Sequence, residues 1–195
     1  MKFTYSWLKD HLDTDLDANA IGEALTNIGL ELENLTDYSK SHGNFVVASI
    51  VEFKKHPNAD RLNLCTVDDG SKQYQVVCGA HNVKKNLKGI FAKEGLYIPG
   101  IELTLKKGKI RGELSEGMML SERELGLSDE HEGIIELDNK IANGTDAVTA
   151  LGLNDPLFEI AITPNRGDCL SVRGIARDLA SKGSGILKDL KIEKI

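Results

Sequence analysis

Cysteine, proline and aromatic side chains are all scarce in this 195-residue chain. The three cysteines, Cys65, Cys78 and Cys169, are odd in number and share no paired spacing. That excludes a disulfide framework or a thiolate zinc site and leaves free thiols packed among apolar neighbours. Aromatic residues make up 5% of the chain, too few for an extended platform of stacked bases. No apolar run approaches the roughly 20 residues needed to cross a bilayer. Met1-Lys2-Phe3-Thr4 leads into a polar, Asp-rich stretch rather than an apolar leader, so the expected compartment is the cytoplasm and no membrane partner is expected. A G-x-x-x-x-G-K-[ST] phosphate loop is missing, and His11, His42, His56, His81 and His131 are scattered rather than set at metal-binding spacing. Cys78 lies close to His81, but it ends an apolar strand pattern, and adjacency alone does not make a thiol–imidazole dyad. No catalytic residue and no metal ligand is assigned.

What is present fits an ordinary folded protein: 41% hydrophobic residues and 28% charged, with length enough to bury a core. A net charge of −6 argues against a nucleic-acid binder until it is resolved along the chain. Residues 1–39 set two lysines against eight acids. Residues 82–111 reverse this, with Lys84, Lys85, Lys88, Lys93, Lys106, Lys107, Lys109 and Arg111 against Glu94 and Glu102. Residues 112–138 swing back, with nine acids against Arg123. A basic stretch between acidic ones gives a local attractive field; the plainer reading is a solvated strand edge that resists aggregation.

The hydrophobic period divides the chain. Near the start, Ser6 is the expected N-cap of a short helix through Trp7, Leu8 and Leu12. Asp17 opens a second helix with Ile21, Ala24, Leu25 and Ile28 on one face, and Gly29 ends it. Leu30 and Leu32 alternate with Glu31 and Glu33 as in a half-buried strand, and the polar stretch Tyr38 to Asn44 reads as a linker. From Phe45 the period becomes two. Strands are expected at 45–53, 62–68, 73–78, 88–93 and 109–111, with later pieces at 118–120 and 133–137. Asp69-Gly70 reads as a hairpin turn, and Ser121-Glu122-Arg123-Glu124 as a capping box for a helix that Gly126 stops. Short strands with glycine-rich turns and one short helix predict a small closed barrel, of the OB or SH3-like kind. Beyond it lie a short helix near 146–151 and a strand at 157–162. A final helix is then capped by Asp168, buries Cys169, Val172, Ile175, Ala176 and Leu179, and stops at Gly183. Thr163 to Asp168 reads as the turn leading into that helix, tied down by Arg166. Residues 1–39 hold too little to fold alone, so they are expected to share a core with 152–195.

The segment Lys54-Lys55-His56-Pro57-Asn58-Ala59-Asp60-Arg61-Leu62 concentrates anion-binding and hydrogen-bonding groups between two apolar runs and reads as a functional loop. Lys54 and Arg61 suit phosphates, and His56 and Asn58 suit an unstacked base or a sugar hydroxyl. Pro57, Ala59 and Asp60 read as turn formers. Three further pieces follow in order: Val77-Cys78-Gly79-Ala80-His81-Asn82-Val83, Lys109-Ile110-Arg111-Gly112-Glu113-Leu114-Ser115-Glu116-Gly117-Met118, and Ser121-Glu122-Arg123-Glu124-Leu125-Gly126. Together the four resemble the tRNA-binding OB module of several aminoacyl-tRNA synthetases and of free-standing tRNA-binding proteins. The flanks Tyr5-Ser6-Trp7-Leu8-Lys9 and Ile162 to Arg177 resemble the N-terminal region of the β subunit of bacterial phenylalanyl-tRNA synthetase, so the resemblance covers nearly the whole chain.

That resemblance implies an α+β fold: a small β-barrel (OB-fold), residues 40–151, inserted into a discontinuous helical, winged-helix-like domain made of 1–39 and 152–195. It implies a segment of a several-fold longer subunit whose parent enzyme charges phenylalanine tRNA using ATP and magnesium. The aminoacylation site of the family lies on the α subunit and its editing site further along β, so the segment alone is expected to be inactive and without cofactor. Expected partners are tRNA, the α subunit and the rest of the β subunit. The expected nucleic-acid-binding residues are Lys54, His56, Asn58, Arg61, Lys84, Lys106, Lys107, Lys109 and Arg111, with Ser115 and Met118 carried over from the free-standing relatives. Gly112 and Gly117 are expected to permit tight bends. Leu120 stands where the family has a cysteine, which suggests packing. A free-standing tRNA-binding protein and a pure protein-interaction scaffold are the alternatives.

Overall fold

The computed structural model describes residues 1–190, a mixed α/β chain. Contacts divide it into two compact units, Ser39–Leu153 and Met1–Tyr38 with the described residues from Asn154 on. The middle unit is built on five antiparallel strands: β1 (Val46–His56), β2 (Ala59–Asp68), β3 (Gln73–Cys78), β4 (Lys88–Lys93) and β5 (Gly117–Met119). Their order is β5-β4-β1-β2-β3. The outer strands come close to closing the sheet on itself: Glu116 N donates to Gln75 O at 2.9 Å, and Val77 N to Ser115 Oγ at 3.2 Å. The result is a nearly closed barrel, consistent with an OB fold.

Apolar residues are buried on both sides of this sheet. Ala48, Ile50, Cys65, Val67, Val76 and Phe91 form one cluster. Phe45, Val47, Ile90, Ala92, Leu120 and Leu125 form another, against the short helices Glu122–Leu125 and Ala147–Ala150. A strand covered on both faces loses its simple alternation, which is why the four central residues of β4 are all buried. Gly117 is needed for space, since a Cβ there would stand 2.3 Å from the ring of Phe91.

The expected loop Lys54 to Arg61 is much shorter than its composition suggests. The ladder continues through Lys54↔Leu64 and Lys55↔Asn63 to His56↔Ala59, leaving Pro57-Asn58 as the tip. Charged residues here sit on a projecting, solvated ribbon, so polarity marks exposure and not a break in pairing. The stretch 133–137 forms no strand; single bonds hold it instead, Ile135 N to Leu120 O at 3.0 Å and Leu137 N to Lys88 O at 2.9 Å. Two small hairpins complete the unit, Tyr97–Ile98 with Leu103–Thr104 and Gly108–Ile110 with Glu113–Ser115. The linker expected at Tyr38 to Asn44 contains a helical turn, Ser39–His42, whose buried His42 meets Leu125 O at 2.7 Å through Nε2. Ser121 and Glu124 form the full capping box, and Gly126 ends that helix at φ 71°.

In the terminal unit, strands Lys2–Thr4, Leu157–Ile160 and Leu32–Thr36 form an antiparallel sheet with Leu157–Ile160 in the centre. Helices Tyr5–His11, Ala18–Asn27 and Val172–Ser181 contribute Leu8, Ile21, Leu25, Ile175 and Leu179 to one core, each with no exposed surface. Asp17 caps the second helix as expected, accepting from Ala20 N at 2.9 Å. Two other caps differ from expectation. Thr4, not Ser6, accepts from Trp7 N; Ser6 lies inside the first turn and bonds Asp155 through its own N–H (2.8 Å) and hydroxyl. Leu12 falls just past the helix, in a two-residue strand. Ser171, not Asp168, caps the last helix, accepting from Gly174 N at 3.0 Å. A 3-10 turn over Gly167–Cys169 separates Asp168 from that helix, and arginines occupy its carboxylate.

Candidate nucleic-acid interface

The tips of two hairpins meet at one end of the barrel. His56 is buried to 4% exposure, with Nε2 at 3.0 Å from Ile110 O and Nδ1 accepting from Asn58 N at 3.0 Å. This fixes the neutral tautomer with the proton on Nε2, because a carbonyl only accepts and an amide N–H only donates. Exposed Asn58 donates Nδ2 to Arg111 O at 3.1 Å. Both side chains are therefore tied to backbone across the junction, and the His56 ring has no nitrogen left for a base.

Around this junction the cations are uncommitted. Lys54, Arg61, Lys106, Lys109 and Arg111 are all exposed, and none forms an ion pair with another described residue. Arg61 and Arg111 line one cleft of about 420 Å³ with Ala59, Asp60 and Leu62. Lys55, read in the motif but left out of the expected set, is equally exposed on β1.

The remaining expected residues lie in other settings. Lys107 pairs with Glu116 at 2.8 Å, and the hydrogen bond raises the lysine above its ordinary range and lowers the carboxyl. Lys84 pairs with Glu136 at 2.6 Å. Solvent screens exposed pairs of this kind and leaves them weak, so both lysines remain recruitable at small cost. Ser115 is buried, and its hydroxyl accepts from Val77 N and donates to Gly117 O at 3.1 Å. It stitches the barrel seam. Met118 is half-buried and lines a separate cleft of about 350 Å³ with Cys78, His81, Ser121 and Glu124.

Lys93, counted above in the basic stretch, belongs to the fold. Its ammonium meets the buried carboxylate of Asp69 at 2.7 Å. Burial would push that carboxyl up, but donors from Lys93, Ser71 and Lys72 outweigh it and hold Asp69 below the usual carboxylate range. Tyr74 donates to the same carboxylate at 3.1 Å. The Asp69-Gly70 turn was visible in the sequence; that β4 would bring a lysine to it was not.

One cluster in the terminal unit has the donor types of a metal site. Ligand atoms of Asp168, Cys169 and Asp178 lie within 4.8 Å of one another. Arg166 and Arg177 already bridge both carboxylates. Burial pushes the Cys169 thiol up to about 11, so it stays a thiol. The cluster is a self-neutralised network.

Residues 45–146 match the family described as "Putative tRNA binding domain". The phenylalanine–tRNA ligase beta subunit of Paramagnetospirillum magneticum is 54% identical over 195 residues, covering 100% of this chain and 24% of that protein. Its counterpart from Mesorhizobium japonicum is 55% identical over 197 residues, covering 100% and 24%. The match falls on the N-terminal part of those subunits, so the chain spans about a quarter of the length of the curated relatives it matches. Among solved structures, a MetRS related protein from Pyrococcus horikoshii overlaps 53% of this chain and 87% of its own, with 19% identity and a TM-score of 0.39, a likeness too loose to carry an argument.

Proposed function

The chain belongs to the tRNA binding domain family, and from that premise we propose that its barrel contacts tRNA through the junction of the two hairpins. The observation that carries this reading is the set of exposed, unpaired cations on and beside these hairpins, Lys54, Lys55, Arg61, Lys106, Lys109 and Arg111, in a chain whose net charge is −6. Such a surface binds a phosphate backbone weakly and with strong salt dependence. Lys84 and Lys107 join by exchanging their carboxylates for phosphates. His56, Asn58 and Ser115 support the surface without reading bases, and Met118 lies outside it.

The parent protein, in this reading, is a phenylalanine–tRNA ligase working with an α subunit and the remainder of β, and this segment supplies tRNA approach or architecture. ATP and magnesium serve the parent reaction elsewhere. The acidic cluster at Asp168 and Asp178 does not fit magnesium, because guanidiniums hold its oxygens. Residues 1–39 and the described residues from 152 on form one split, winged-helix-like domain, and the OB barrel of 40–151 is inserted between its halves in the sequence. Removing 152–195 should then abolish amide protection in 1–39 and leave the barrel protected.

A second reading, an interaction scaffold, draws on one observation: Tyr97, Ile101 and Leu103 of the 97–104 hairpin are 54%, 39% and 52% exposed. Titrating a folded tRNA transcript with the 195-residue chain at several salt concentrations separates the two. Binding that weakens linearly in log salt supports the first; no binding even at low salt leaves the scaffold. The free-standing alternative loses support because the match to beta subunits runs through both flanks.

A further inference from the structure

The hairpin after Lys107 reverses through two residues, Arg111 and Gly112, since Ile110 pairs with Glu113. Both have positive φ, 49° and 97°. That is the backbone of a primed hairpin turn, whose central positions favour Asn, Asp or Gly. Arginine is a poor choice for it, because its Cβ crowds the following carbonyl in left-handed backbone. A residue held in such a conformation points to a role for its side chain.

Two bonds hold Arg111 there from the other hairpin, Asn58 Nδ2 to Arg111 O at 3.1 Å and His56 Nε2 to Ile110 O at 3.0 Å. His56 is itself fixed by Asn58 N. The grip is on backbone alone, so the Arg111 guanidinium stays uncommitted. Arg61 reaches the same cleft from β2. Asp60 also lines it, without an ion pair to either arginine, so the cleft brings together two cationic residues and one anionic one.

We propose that Arg61 and Arg111 form a clamp for a single RNA backbone phosphate, and that His56 and Asn58 are its positioning residues. The inference rests on the tRNA-binding reading above and deepens it. A guanidinium fork matches two phosphate oxygens at once, which an ammonium cannot do. Tying the turn down beforehand removes part of the ordering cost of binding. The same geometry assigns His56 and Asn58 a different task from the base contact that their side-chain chemistry suggests.

The test uses the 195-residue chain and a labelled, folded tRNA transcript, with affinity followed from about 50 to 200 mM salt. Arg111→Asn keeps a residue that accepts the left-handed turn, so its melting temperature should hold or rise. Its affinity should fall about tenfold, and its salt slope should flatten by about 0.7–0.9. Arg111→Lys should keep the slope and still lose affinity. Asn58→Ala should weaken binding in the parent chain and add no further loss on top of Arg111→Asn, the coupling expected of a positioning residue. Equal losses from Asn58→Ala in both backgrounds would overturn the positioning role. If the parent chain binds tRNA while Arg111→Asn and Arg61→Ala bind it with unchanged affinity and slope, the clamp is wrong and the tRNA reading survives. No binding by the parent chain at any salt would overturn both.

Discussion

Arg166 and Arg177 in the terminal unit carry the same guanidinium as Arg61 and Arg111 at the barrel tip, in entirely different company. Arg166 and Arg177 each bridge Asp168 and Asp178, and Arg166 also donates to Cys169 Sγ at 2.8 Å. Arg61 and Arg111 share a cleft with Asp60 and pair with no described carboxylate. In the first region the charges satisfy one another and fasten a turn to a helix. In the second, backbone is fastened by neutral groups and charge is left facing water. Charge count alone would rank the two alike; the partner list separates a structural network from a binding surface.

Substitutions can break this contrast, starting with those that bear on the core beneath the first region. Leu179→Ala and Leu25→Ala, both from fully buried positions, should each cost about 2–5 kcal/mol in urea unfolding. Neither should change tRNA affinity measured well below the transition. Next, Arg166→Ala should measurably lower the urea midpoint, since it strips the carboxylates of Asp168 and Asp178 of a charged donor. Arg61→Ala should stay within about 0.5 kcal/mol, as expected for an exposed cation without partners. Equal losses from the two arginines would erase the distinction.

Acid titration sharpens it. Hydrogen bonds from Arg177 and then Arg166 hold Asp168 down to about 2. A carboxyl lowered in the folded state stabilises above its unfolded value near 3.9, and that contribution disappears as pH falls through the folded value. The loss should therefore fall between about pH 4 and pH 2. Asp168→Asn should remove this part of the acid limb in pH-dependent unfolding; an unchanged limb would show that the network carries no linkage. The smallest expected effect is on salt dependence. Replacing Lys106, Lys107 and Lys109 together with Ala should flatten the slope for tRNA by about 2.1–2.7, with Lys107 giving up Glu116 for its phosphate on binding.

Much of the fold could be read from the chain itself. Apolar runs marked the four long barrel strands, the capping box at Ser121 stood out, and Asp17 and Gly29 bracketed their helix. Failures occurred where local chemistry admits two neighbours. Thr4 and Ser6, or Asp168 and Ser171, are both plausible caps, and tertiary partners decided between them: Asp155 took Ser6, and Arg177 took Asp168. The basic residues of the candidate surface were visible by composition. The roles of His56 and Ser115 were not, because their partners lie 54 and 38 residues away. No local pattern encodes such a partner, and a histidine in a polar segment looks the same whether it meets a base or a carbonyl.

The barrel seam carries one last consequence, for motion. Between β3 and the strands that follow Arg111, closure relies on one backbone-to-backbone bond, Glu116 N to Gln75 O, while side chains stand in for a ladder: the Ser115 hydroxyl, the Glu116 carboxylate, which accepts from Gln75 N at 3.3 Å, and the Gln75 amide, which reaches Leu114 O at 3.0 Å. Long paired strands such as β1 and β2 open only with the whole unit, whereas a junction held by so few links opens locally and at far lower free energy. The seam is thus the built-in breathing line of the barrel. Amides of Val77 and Glu116 should exchange with solvent long before that of Cys65, and the hairpin bearing Arg111 hangs directly on the edge that moves.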